Sequence, residues 1–132
     1  MSGRTFRFQQ EPNREAQELH TAAATSRGCV VVHPSPNELQ LDLDSYEALG
    51  VFEANKSIFK SLIVDVKRTA SPSRKAGRFH VTVTLCRPVR DHYERIMLQA
   101  LLGSDITREA ISWAEAQQGV DLPCRLFEKA PT

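Results

Sequence analysis

Asp42 and Asp44 close the run Leu39-Gln40-Leu41-Asp42-Leu43-Asp44. In extended backbone alternate side chains share a face, so these carboxylates lie on one side, roughly 6.5–7 Å apart along the chain. Ionised carboxylates at that spacing repel each other. A hard divalent cation, Mg²⁺ or Mn²⁺, takes oxygen ligands and makes such a pair useful. Paired ions of this kind bridge phosphate oxygens and activate a hydroxyl. The plainer alternative is that the acids are the solvated face of a half-buried strand.

A second polar group lies downstream. Ser71, Ser73, Arg74, Lys75, Gly77 and Arg78 lead directly into His80. They offer donors and positive charge suited to phosphate, on a nucleoside triphosphate or a nucleic-acid backbone. The plainer alternative is a charged, solvated turn. Asp105 follows Gly103 and is either a third acid or the cap of the next helix. Trp113 either flanks the core or stacks on a base. There is no GxxxxGK[ST], no GxGxxG and no GxSxG, so P-loop, dinucleotide and serine-elbow chemistry have no support.

These residues depend on the elements that carry them. The pattern predicts a helix over Arg14–Thr25, an apolar strand over Cys29–His33 and a Pro-rich turn at Pro34–Asn37. Glu38–Asp44 alternates as a strand, and Ser45 caps a helix within Tyr46–Lys60. Strands follow over Leu62–Arg68 and Phe79–Leu85, with the basic loop Thr69–Arg78 between them. Pro88 is read as opening a helix whose apolar stripe is Val89, Tyr93, Ile96, Met97, Ala100 and Leu101, closed by Gly103. A helix over Thr107–Gln118, capped by Thr107, carries the stripe Ala110, Ile111, Ala114 and Gln117 or Gln118. Pro123–Lys129 is the last strand. The pairs 29–33 with 38–44 and 62–68 with 79–85 read as hairpins. The order predicts an α+β fold, an RRM-like mixed or antiparallel sheet with helices packed on one face.

At 132 residues the chain fits one domain over 1–132, with 1–13 as a loose N-terminal arm. A net charge of +1 forces no nucleic-acid partner by bulk electrostatics and leaves local patches to supply one. Cys29, Cys86 and Cys124 are odd in number and widely spaced, which predicts buried free thiols in a reducing compartment. Residues 1–10 lack the apolar centre of a signal peptide, and no apolar run is long enough to span a membrane. The expected location is the cytoplasm.

Together, the strand ending in Asp42-Leu43-Asp44 and the Ser/Lys/Arg loop running into His80 resemble the catalytic core of the archaeo-eukaryotic primase superfamily. That family includes bacterial primase-polymerases and the polymerase domains of end-joining ligases. Its hhhDhD strand corresponds to Glu38–Asp44, and its loop-to-histidine motif to Arg68–Leu85. The resemblance covers roughly residues 29–106. It implies that Asp42, Asp44 and Asp105 bind two Mg²⁺ or Mn²⁺ ions. It implies that His80, Ser73, Arg74, Lys75 and Arg78 hold the phosphates of a nucleoside triphosphate. The reaction implied is nucleotidyl transfer to a nucleic-acid 3′-hydroxyl, with a helicase or other replication protein as partner. Two other classes stand beside it. One is a non-catalytic nucleic-acid-binding module, though Gln40 and the aspartates occupy the face where RRM proteins carry stacking aromatics. The other is a structural or adaptor protein.

Overall fold

The computed structural model describes residues 22–23, 28–70, 77–120, 123–124 and 126–129. The expected 14–25 helix lies largely outside them; Ala22 and Ala23 are helical. The described elements run β1 (Cys29–Val32), β2 (Glu38–Leu43), α1 (Tyr46–Asn55), β3 (Ile63–Ala70), β4 (Phe79–Leu85), α2 (His92–Leu101), α3 (Ile106–Gln117) and β5 (Leu126–Lys129). The fold is α+β. No helix among the described residues is long and apolar enough to cross a membrane.

The main sheet has the order β2-β4-β3, antiparallel throughout. Because β2 and β3 both oppose β4, they are parallel to each other and are joined through α1. This is a split β-α-β unit, compatible with an RRM-like arrangement. The 62–68/79–85 hairpin forms as expected. The 29–33/38–44 hairpin does not, because β1 pairs with β5 and β2 takes β4 as its neighbour. The alternation in β2 explains the choice. Leu39, Leu41 and Leu43 are fully buried when they line up with Val83, Val81 and Phe79. Phe52 of α1 and Leu98 and Leu102 around α2 close over that apolar face.

Caps set the helix boundaries. The Ser45 side chain accepts from the Ala48 amide at 3.1 Å and starts α1. Helix α2 begins at His92 and not at Pro88, because Asp91 is the cap and accepts from the Glu94 amide at 2.8 Å. The residues before it are held elsewhere: the Val89 amide donates to the Pro36 carbonyl at 2.9 Å. Helix α3 is capped by Asp105, not Thr107, through the Thr107 amide at 3.1 Å. Gly103 joins the two helices at φ +94°, and a Cβ there would lie 2.7 Å from the Ala48 carbonyl oxygen. Only glycine fits that turn and that approach.

The α2–α3 pair buries a face that apolar periodicity did not indicate. Met97 and Ile111, both in the expected stripes, are 51% and 52% exposed. Arg95, Gln99, Glu109 and Ser112 are buried in their place. The reason is the outer edge of β2, whose backbone groups need partners. Arg95 donates to the Glu38 carbonyl at 3.0 Å, and Gln99 Oε1 accepts from the Gln40 amide at 2.9 Å. Arg108 donates to the Gln40 carbonyl at 2.6 Å. Ser104 Oγ accepts from the Asp42 amide at 3.0 Å, and the Asp105 amide donates to the Asp42 carbonyl at 2.7 Å. Side chains thus stand where a further strand would pair.

All three cysteines are free. Cys29 and Cys124 are buried, and burial pushes the Cys124 thiol up. Cys86 is exposed, contrary to the expected burial, because β4 ends at Leu85.

Candidate functional site

The register of the sheet places Asp42 directly opposite His80, Gln40 opposite Thr82 and Glu38 opposite Thr84. On the other side of β4, Thr69, Lys67 and Asp65 oppose the same three residues. Directly opposed residues share a face. All nine therefore form one polar face, on the opposite side of the sheet from the leucine core. It carries no Phe, Tyr or Trp among the described strands, so base stacking on it has no platform.

At its centre Asp42 Oδ1 lies 3.7 Å from His80 Nε2, an electrostatic contact longer than a hydrogen bond. His80 is buried, and the Asp42 side chain keeps 21% exposure. Desolvation raises the Asp42 carboxyl above its usual range. His80, Arg108 and Arg78 pull it back down, in that order, and Asp105 pushes it up. The entry to β4 is tight: Gly77 has φ +81°, and a Cβ there would sit 2.9 Å from the Tyr46 ring. Arg78 follows immediately.

Two residues of this part of the sheet hold buried side-chain atoms without hydrogen-bond partners among the described residues. The atoms are Gln40 Oε1 and Arg78 Nε. Buried polar atoms are nearly always bonded, so these two, one on the same strand face as Asp42 and one on a guanidinium that acts on it, call for an explanation.

The expected site residues divide into three groups. Asp42, His80, Arg78 and Asp105 come together. Asp105 reaches Asp42 through its amide, while its carboxylate caps α3. Asp44 follows the last residue of β2 and is exposed. Ser73, Arg74 and Lys75 lie outside the described residues, as does Ser71. Among the described residues no three His, Cys, Asp or Glu side chains meet as metal ligands, so the Asp42–Asp44–Asp105 donor set for Mg²⁺ or Mn²⁺ is not assembled there. Asp42 and Asp105 are the part of it that is brought close.

Sequence reasoning missed the residues that hold this strand in place. Gln99 is 0% and Glu109 1% exposed. Glu109 accepts from Gln99 at 2.8 Å, from Ser104 at 2.7 Å and from Arg108 at 2.6 Å. The available signal was Arg95 and Gln99 at helical i,i+4 spacing, polar residues one turn apart on a helix that must pack. No protein-family model, curated protein or solved structure matches this chain.

Proposed function

We propose that the chain binds single-stranded nucleic acid across the polar face of its three-stranded sheet, centred on Asp42 and His80. The observation that carries this reading is Asp42 itself, a carboxylate raised by desolvation yet still partly exposed, with His80, Arg108 and Arg78 acting on it. A partly exposed carboxylate accepts from the amino groups of a base edge. Arg78 and Lys67 supply positive charge for the backbone phosphates. Thr69 and Thr82 add hydroxyls on the same face. Recognition here rests on hydrogen bonds and charge and not on stacking.

Fluorescence anisotropy with a short labelled oligonucleotide tests it. Wild-type protein binds saturably, and affinity falls as salt rises. Arg78→Ala weakens binding roughly tenfold, the scale of a lost charge-assisted contact of about 1.5 kcal/mol. Folded Arg78→Ala and His80→Ala variants with wild-type affinity remove this face from the site.

A second reading, metal-dependent nucleotidyl transfer from nucleoside triphosphates, draws on the hydrogen bond that the Asp105 amide donates to the Asp42 carbonyl, which holds a second acid near the first. It requires donors beyond those assembled among the described residues. Calorimetric titration of Mn²⁺ with a non-hydrolysable triphosphate decides it. Saturable metal binding strengthened by the triphosphate and abolished by Asp42→Ala supports transfer. Absence of metal binding in folded protein leaves nucleic-acid binding alone.

A further inference from the structure

The two edges of the main sheet are treated differently. The β2 edge is closed by side chains of the α2–α3 pair. Among the described residues β3 pairs with β4 alone, and Val64 through Thr69 are all exposed. A long open edge is a template for another strand, and proteins usually blunt it.

The register fixes which β3 groups are open. The outer edge of β2 is made by the backbone of Glu38, Gln40 and Asp42, so Leu39, Leu41 and Leu43 bond inward to Val83, Val81 and Phe79. The Leu85 amide follows the same phase, donating to the Asn37 carbonyl. Ladder bonds alternate sides along a strand. His80, Thr82 and Thr84 therefore bond to Thr69, Lys67 and Asp65. The amides and carbonyls of Val66 and Arg68 are left pointing outward.

We propose that this edge pairs with the same edge of a second copy of the chain, antiparallel and centred on Val66. The charges select that register. A two-fold axis perpendicular to the sheet keeps like faces together, so a residue can oppose only one an even number of positions away. Centring on Val66 sets Asp65 across from Lys67 of the second copy, and Lys67 across from its Asp65. Both are non-hydrogen-bonded positions, where cross-strand side chains approach most closely. Centring on Asp65 opposes two aspartates, on Lys67 two lysines and on Arg68 two arginines. Among the registers centred on Asp65 to Arg68, the same charges that discourage indiscriminate edge pairing leave the one on Val66 favourable. The result is a six-stranded sheet whose polar faces lie on one side.

Sedimentation velocity of the full chain at low salt, over a wide concentration range, tests this. The wild type dimerises reversibly, and added salt weakens the dimer. Lys67→Asp sets like charges together at both symmetry-related positions and raises the dimer dissociation constant roughly tenfold or more. Asp65→Lys does the same, and the double variant D65K/K67D restores opposite charges and the dimer. Val66→Pro removes an outward amide and leaves a monomer. Circular dichroism verifies that each variant is folded. A monomeric wild type at every concentration overturns the proposal. So does a dimer indifferent to Lys67→Asp and Val66→Pro, or a double variant that fails to recover.

Discussion

Glu109 and Asp42 are carboxylates on neighbouring parts of one network with opposite circumstances. Glu109 is buried in the α2–α3 pair and has donors from Gln99, Ser104 and Arg108. Asp42 sits on the sheet face 3.7 Å from His80 Nε2, with its carboxyl raised by desolvation. A buried charge that is fully bonded holds structure together. A half-buried charge that is poorly bonded costs stability, and such groups concentrate at functional sites. The contrast places Glu109 in the architecture and makes Asp42 the acid on which the proposed binding face is centred.

The largest effect is expected at the architectural acid. Glu109→Ala takes the carboxylate from Arg108, a guanidinium only 14% exposed, and should cost about 3–5 kcal/mol in a denaturant titration. A loss within the error of that titration would mean the network is not what closes the β2 edge. Next is Gly103→Ala, which forces a side chain into φ +94° against the Ala48 carbonyl. It should cost roughly 1–3 kcal/mol and move α3 relative to β2. Gln99→Ala leaves the Gln40 amide without an acceptor, a loss of about 1–3 kcal/mol by the same titration.

The smallest effect has the opposite sign. The folded state raises the Asp42 pKa, so Asp42 favours folding most below its unfolded pKa, and that contribution is lost as pH rises through the folded value. At neutral pH the ionised side chain works against the fold. Asp42→Asn should therefore unfold at an equal or higher denaturant concentration than wild type at neutral pH, and the wild type should gain on it as pH falls from neutral. The same variant should bind oligonucleotide more weakly. A variant less stable at neutral pH would place Asp42 with Glu109 among the structural acids.

Much of this fold was legible in the residues. Strict alternation over Leu39–Leu43 and Phe79–Leu85 gave strands and faces, because one side of each must be apolar. Ser45 and Gly103 marked helix boundaries through their chemistry. The failures share one cause. Met97 and Ile111 obey helical periodicity yet face outward, because the surface α2 and α3 pack against is a strand edge that demands hydrogen bonds. Periodicity reads apolar burial and does not register a buried Arg95 or Gln99. The β1–β5 pairing was hidden for a related reason: proximity in sequence favoured β1 with β2, while the leucines of β2 matched β4 better. Asp42 and His80 stand out by residue type and spacing, and the register sets them opposite each other. The alternation puts Gln40 on the aspartate face, but that its Oε1 is buried there emerges only from the packing around it.

The most direct test of the central claim is chemical-shift mapping of the ¹⁵N-labelled protein during titration with a short single-stranded oligonucleotide. Shifts concentrated at Gln40–Asp42 and Arg78–Thr82, saturating together, are the predicted result. Shifts confined to the outer faces of α2 and α3, or none in folded protein, would contradict the assignment of the polar sheet face as the binding site.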